Sequence, residues 1–204
     1  TPDKPCYTPM CGSGTFAIEA ALISLNKKPN INRKFFSFEK LLCFDRAVVA
    51  REETRNRLRN EELNKDEYSI FCSDQDSDMI YATKINISNA GVSSIIKCKK
   101  QDFFRQKVAV NDAFLFINPP FDKRLEIQEP EEFYNEIGDT LKNYCPNCEH
   151  HIISSYPLFI KTIGLKPEYK IETTNGGLDA TYASYKTFEG KFSNFKKEEF
   201  KTKS

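Results

Sequence analysis

Asn118-Pro119-Pro120-Phe121 directly follows the apolar run Ala113-Phe114-Leu115-Phe116-Ile117. The run is too short for a helix and rich in aromatic residues, so it reads as a buried strand. Two prolines stop it at once. The groups just past the strand end are unusual. Asn118 offers a side-chain carbonyl. Pro119 and Pro120 lack N–H groups, so their backbone presents acceptors only. Phe121 adds a flat apolar face. Acceptors beside an aromatic plate suit a planar group carrying an NH₂, such as adenine, guanine or an amide. On these four residues alone, a rigid strand-ending turn without a ligand is the competing reading.

A second group lies near the start. Pro9-Met10-Cys11-Gly12-Ser13-Gly14-Thr15 follows a short strand-like segment, Pro5-Cys6-Tyr7. A helical pattern comes next, with Phe16, Ile18, Ala20, Ala21, Leu22 and Ile23. Strand, Gly-x-Gly, helix is the form of a nucleotide-binding first crossover, because glycines permit a tight turn and close approach of a ligand to the backbone. A lone Gly-x-Gly is usually an ordinary turn. Both groups in this order are more specific than either one.

The elements that must position them alternate, which predicts an α/β sheet. Residues 15–26 read as helix. Residues 27–45 are irregular and aromatic, with Phe35, Phe36, Phe38 and Phe44. Residues 46–64 form a charged helix with Val48, Val49 and Leu58 on one side. Tyr68–Cys72 is a second strand. Asp76 or Ser77 caps a helix running to Ala90, where Gly91 stops it. Ile95–Cys98 and Asp112–Ile117 are the third and fourth strands, residues 131–144 a helix, and His151–Ser155 a fifth strand. Tyr169–Thr173 and Ala180–Phe188 flank Asn175-Gly176-Gly177, a hairpin turn. A ligand site is expected at the carboxyl ends of the strands, where strand order reverses.

At 204 residues the chain fits one domain with a sizeable core. Residues 1–190 form that domain, with a helical insertion about 27–66, and 191–204 form a Lys-rich tail. The net charge of +1 leaves RNA binding to local patches. Seven scattered cysteines form no disulfide framework and favour a reducing, cytoplasmic setting. No run reaches the length of a membrane span. The presumed first strand follows Thr1 so closely that a further region upstream is expected.

The chain resembles the Rossmann-like class I methyltransferases that use S-adenosyl-L-methionine. Within them it is most similar to the THUMP-associated RNA methylases of the RlmL type. The resemblance spans residues 5–185. It rests on Pro-Met-Cys-Gly-Ser-Gly-Thr-Phe at 9–16, Phe-Glu-Lys at 38–40, Ser-Asp-Gln-Asp at 73–76 and Asn89-Ala90-Gly91-Val92. It continues through Asn-Pro-Pro-Phe at 118–121 with Arg124-Leu125, and Asn175-Gly176-Gly177-Leu178-Asp179. The implied fold is a mostly parallel seven-stranded sheet ending in an antiparallel hairpin. The implied cofactor is S-adenosyl-L-methionine, held by Thr8, Pro9, Cys11, Gly12, Ser13, Gly14 and Thr15. By the same resemblance Asp74 accepts the ribose hydroxyls, Asp102 accepts the adenine amino group and Phe103 packs on the ring. Asn118, Pro119, Pro120 and Phe121 form the catalytic group, with Phe121 stacking on the target base and Arg124 orienting the loop or binding phosphate. The implied reaction is methylation of guanine N2 in rRNA or tRNA, with an RNA-binding THUMP module upstream.

Three departures stand out. Thr8 replaces the acid that relatives carry before Pro-Met-Cys-Gly, which removes an attraction for the cofactor ammonium. Cys72 stands where relatives often have glycine, and Asp122 alters the target loop. Two rival readings remain. One is a degenerate domain that binds RNA or a partner without catalysis. The other keeps the chemistry but directs it to adenine N6 or a protein glutamine. Cys145-x-x-Cys148 with His150 and His151 offers four ligands within seven residues, too crowded for tetrahedral zinc and without a second pair; no metal is expected. Arg46, Arg51, Arg55, Arg57 and Arg59, and separately Lys97, Lys99 and Lys100, are either phosphate contacts or solvated faces.

Overall fold

The computed structural model describes residues 4–27, 35–60, 70–105, 110–120, 129–175 and 177–189, with backbone alone at 53 and 55–60. Seven strands form one sheet: β1 (Cys6–Pro9), β2 (Ile70–Asp74), β3 (Ile96–Lys100), β4 (Phe114–Ile117), β5 (Glu149–Ser154), β6 (Tyr169–Asn175) and β7 (Leu178–Lys186). Their order is β3-β2-β1-β4-β5-β7-β6. Strands β1 to β5 pair in parallel, and β7 runs antiparallel between β5 and β6. The order reverses between β1 and β4, so their carboxyl ends flank the switch point.

Five helices accompany the strands: α1 (Thr15–Ser24), α2 (Arg46–Asn60), α3 (Ser77–Asn89), α4 (Pro130–Tyr144) and α5 (Phe159–Thr162), with a 3₁₀ turn at Ser37–Lys40. Tyr134, Ile137, Gly138 and Leu141 recur at helical spacing on the buried face of α4. Pro130 opens that helix with Glu131 and Glu132 in its first turn, a favourable arrangement for the N–H groups that lack partners there. The Asp76 carboxylate caps α3 by accepting from the Asp78 N–H at 2.7 Å. Gly91 takes a φ of +65° just past its end.

Alternation along the strands divides the interior into two cores, one on each face of the sheet. On one face Leu115, Ile117 and Ile152 meet Tyr134, Ile137 and Leu141 of α4. On the other, Cys6, Ile70 and Cys72 meet Ala17, Ala21 and Leu22 of α1, with Ile87 of α3. Leu115 is fully buried, so its truncation to Ala costs about 2–5 kcal/mol.

Several expected boundaries shift. The first strand runs on through Pro9 instead of stopping at Tyr7, because parallel pairing to β2 continues to Pro9↔Ser73. The third strand extends to Lys100 by pairing with Asp74. Helix α1 ends at Ser24, where Leu25 caps it and Asn26 turns with φ +47°. Helix α5 is absent from the sequence reading. It is one turn long, below the length at which periodicity is detectable. In the insertion, Val48 stays 52 % exposed, so the side of α2 expected to pack does not cover it. The side chain of Leu58 and residues 61–69 lie outside what is described, as does the Lys-rich tail from 190 onward.

Candidate active site

The carboxyl ends of β1, β2, β3 and β4 open into a cavity of about 670 Å³. The loop after β1 forms its floor. Met10 is left-handed at φ +54°, a strained conformation for a non-glycine residue, and Gly12 follows at +53°. The loop is fastened from behind at Cys11, Gly12 and Ser13. The Cys11 N–H donates to the Ser73 carbonyl at 2.9 Å, and the Gly12 N–H to Asp74 Oδ2 at 2.9 Å. From α3, Thr83 Oγ1 donates to the Gly12 carbonyl at 2.6 Å and Asn86 Nδ2 to the Ser13 carbonyl at 2.9 Å. Gly14 is the N-cap of α1 with φ +85° and no side chain to satisfy the first N–H groups.

Thr8, Pro9, Cys11, Gly12, Ser13 and Thr15 all line the cavity, as do Asp74, Asp102 and Phe103. Gly14 lies behind them, against Thr83. Asn118, Pro119 and Pro120 line the same cavity from the end of β4. Both groups of residues singled out in the sequence therefore face one space. Phe121 lies outside the described residues, as do Asp122, Arg124 and Leu125.

The acids have local partners that sequence reading did not anticipate. Asp74 Oδ1 also accepts from the Asp76 N–H at 3.0 Å. Asp102 Oδ1 accepts from the N–H groups of Phe104 and Arg105, and Arg105 Nε lies 3.5 Å from Oδ2. Phe103 is only 7 % exposed and belongs to the core. Phe104 lines the cavity beside it and meets the edge of Phe133, which lines it from α4. The adjacent Phe103-Phe104 pair was visible in the sequence. Phe133, on an amphipathic helix, looked like any core residue. Cys72 is wholly buried in the core on the α1 face, with Cys11 and Cys98 packed against the same cluster.

Room for a polar ligand shows in one atom. The Thr8 hydroxyl oxygen is buried and has no hydrogen-bond partner among the described residues, although Thr8 borders the cavity. A buried hydroxyl left unpaired costs about 1–3 kcal/mol. A ligand with a polar end at this point would satisfy it. With a carboxylate at the β2 end, open helix N–H groups and a glycine floor, the cavity fits a nucleoside cofactor carrying an amino-acid tail.

The Cys-x-x-Cys segment is part of the core. Burial pushes the Cys145 thiol up to about 12. The Cys148 thiol is directed at the Pro146 carbonyl, 3.3 Å away. His150 is wholly buried with Nε2 hydrogen-bonded to the Thr187 hydroxyl, while His151 stacks on Phe116 on the opposite face. Among the described residues no three His, Cys, Asp or Glu side chains are arranged to hold a metal ion. Arg46 is 86 % exposed beside Glu39 at 3.7 Å, Lys97 and Lys99 are exposed, and Lys100 donates to the Ser77 hydroxyl. The side chains of Arg55, Arg57 and Arg59 lie outside the described residues. No helix among the described residues is long and apolar enough to cross a membrane.

This strand order and switch-point cavity define the class I methyltransferase fold. The chain superposes on the crystal structure of "SMU.472, a putative methyltransferase complexed with SAH" with a TM-score of 0.79 at 29 % identity, covering 93 % of this chain and 50 % of that one. Residues 1–184 match the RMKL-like methyltransferase domain, and the chain belongs to that family. It is 31 % identical over 92 % of its length to the Synechocystis protein named "Putative RNA methyltransferase slr0064", of which it covers 49 %. It is 30 % identical over 87 % of its length to a ribosomal RNA large subunit methyltransferase K/L of Shewanella, of which it covers 25 %. The chain thus spans half or less of the length of these relatives.

Proposed function

We propose that this domain binds S-adenosyl-L-methionine and methylates guanine N2 in ribosomal or transfer RNA. The observation that carries the reading is the convergence of Asn118 and Pro119 with Cys11, Gly12 and Ser13 on one cavity. The names of the relatives support RNA as the substrate class. In this reading Asp74 takes the ribose hydroxyls, and Oδ2 does so beside the Gly12 N–H it already holds. Asp102 and Phe103 take the adenine, with Phe104 closing the same wall. Thr8 and the first-turn N–H groups of α1 meet the amino-acid end.

When bound, the cofactor supplies a methyl group on a positively charged sulfur. The protein's task lies on the other reactant. An exocyclic amine is a poor nucleophile because its lone pair is shared with the ring. As it attacks, positive charge grows on nitrogen. The Asn118 side-chain oxygen and the Pro119 carbonyl accept its two N–H bonds and stabilise that charge where it develops. Phe121 stacks on the base, worth roughly 1–3 kcal/mol. A paired base must flip out to reach the site. Holding amine and methyl in line does much of the remaining work. The proton then leaves to water. The exposed Lys97 and Lys99 and the Arg residues of α2 are candidates for phosphate contacts, and an upstream THUMP-type module in the cytoplasmic protein would select the target.

The test is transfer of isotope-labelled methyl to bulk RNA, followed by digestion to nucleosides. Label is expected in N2-methylguanosine. Asn118→Ala should lower the rate by on the order of 10²–10³ while leaving affinity for the demethylated cofactor unchanged. Label in adenine N6 or in protein glutamine would move the substrate assignment and leave the site argument standing. A folded chain that binds no cofactor at millimolar concentration would support the degenerate-domain reading that Thr8 invites.

A further inference from the structure

The hairpin of β6 and β7 reaches beyond the rest of the sheet. The last pair between β5 and β7 is Ser154↔Thr181. The hairpin continues past it through Thr173↔Ala180, Thr174↔Asp179 and Asn175↔Leu178. Three further pairs at about 3.4 Å each carry the turn roughly 10 Å beyond the end of β5. The overhang brings Asn175 to the wall of the cavity, together with Asn118, Pro119, Phe133 and Ile153. Asn175 is half-buried, and its side-chain amide makes no hydrogen bond to another described residue.

We infer that Asn175 reads the target base, accepting from guanine N1–H and donating to O6. This rests on the guanine-N2 reading above. A carboxamide presents a donor and an acceptor side by side, which is the complement of the N1–H and O6 edge. That edge adjoins the reacting amine. With N2 held at Asn118 and Pro119, the base turns N1 and O6 toward the wall that the overhang builds. A hydrogen-bonding wall discriminates more strongly than an apolar one, because a base lacking the matching groups leaves buried polar atoms unpaired. Asn175 is thus a specificity-determining residue, separate from the group that stabilises the transferring amine.

The experiment uses two pools of synthetic single-stranded RNA, random in A, C and U except for one central base. That base is guanine in one pool and 2-aminopurine in the other. Both carry the N2 amine; 2-aminopurine lacks O6 and has no proton on N1. Methyl transfer is measured as kcat/KM for the wild-type chain and for Asn175→Ala. The wild-type chain should prefer guanine, and Asn175→Ala should narrow the preference by on the order of 10- to 100-fold. Asn175→Gln should restore part of it. Affinity for the demethylated cofactor should be the same in all three. A guanine preference equal in wild type and Asn175→Ala overturns the inference. A wild-type chain that places its label in adenine of both pools overturns the guanine reading itself, and this inference with it.

Discussion

Asp74 divides its carboxylate between two backbone N–H groups, Gly12 at 2.9 Å and Asp76 at 3.0 Å. It therefore shapes the loop that holds the cofactor as well as offering lone pairs to it. Asp74→Ala should weaken cofactor binding by about 10- to 150-fold, the worth of a hydrogen bond to a charged group. Calorimetry with the demethylated product checks this; wild-type affinity would remove Asp74 from the site. Thr8 presents the opposite case, a buried oxygen with no partner among the described residues. Thr8→Asp should strengthen binding severalfold by attracting the cofactor's positive charges. It should also lower the melting temperature without ligand, because an unpaired carboxylate is buried there. Weaker binding in this variant would mean that Thr8 does not face the ammonium.

Helices α1 and α3 meet at Gly14. A Cβ on Gly14 would come within 2.6 Å of Thr83 Cγ2, and φ there is +85°. Gly14→Ala should therefore displace the loop from α3 and reduce cofactor affinity. Adding Thr83→Ser removes the clashing methyl while keeping the hydroxyl on the Gly12 carbonyl, so the double variant should recover part of the loss. Calorimetry on the four proteins of this cycle measures the coupling; simple additivity would place the damage in backbone strain alone. On the other face, a Cβ on Gly138 of α4 would lie 1.8 Å from the Ile163 carbonyl at the end of α5. Gly138→Ala should cost about 1–3 kcal/mol and lower the melting temperature by several degrees. Neither Gly138 nor Ile163 lines the cavity, so affinity for the cofactor should not change.

Across the whole molecule, stability should depend on pH through His150. Burial pushes its pKa down to about 3, and its Nε2 is bonded to Thr187 in a pocket shared with the Cys145 carbonyl. An unfolded chain titrates this group near 6.5. Between these values the unfolded state takes up a proton that the native state refuses, so stability falls as pH drops. The slope contributed is up to about 1.4 kcal/mol per pH unit, and nothing is lost above the unfolded value. Urea melts between pH 7.5 and 5 should show this loss. His150→Gln should flatten the profile while being less stable at pH 7.5. An unchanged slope in that variant would place the dependence elsewhere.

Much of the fold was legible because it is written locally. The run ending at Asn118, the Gly-x-Gly turn and the Asp76 cap depend on neighbours a few residues away, and the structure keeps all three. The alternation of strands and helices predicted an α/β sheet, the turn at Asn175 a terminal hairpin, and the resemblance a mostly parallel order, and that sheet is present. What the sequence could not settle depends on which surfaces meet. Gly12 and Asp74 are joined across 62 residues, and Thr83 reaches back 71 to the same loop. Nothing in the composition of α3 distinguishes its loop-facing residues from solvated ones. Phe103 and Phe104 both border the cavity, yet one is buried in the core and the other only half-buried. Asn175 looked like a turn residue, and only the overhang of the hairpin past β5 carries it to the site. Propensity and periodicity act through short-range backbone physics, so they can be read from the chain. Register, helix placement and overhang are fixed by the burial of both sheet faces at once, and that is decided only when the whole chain packs.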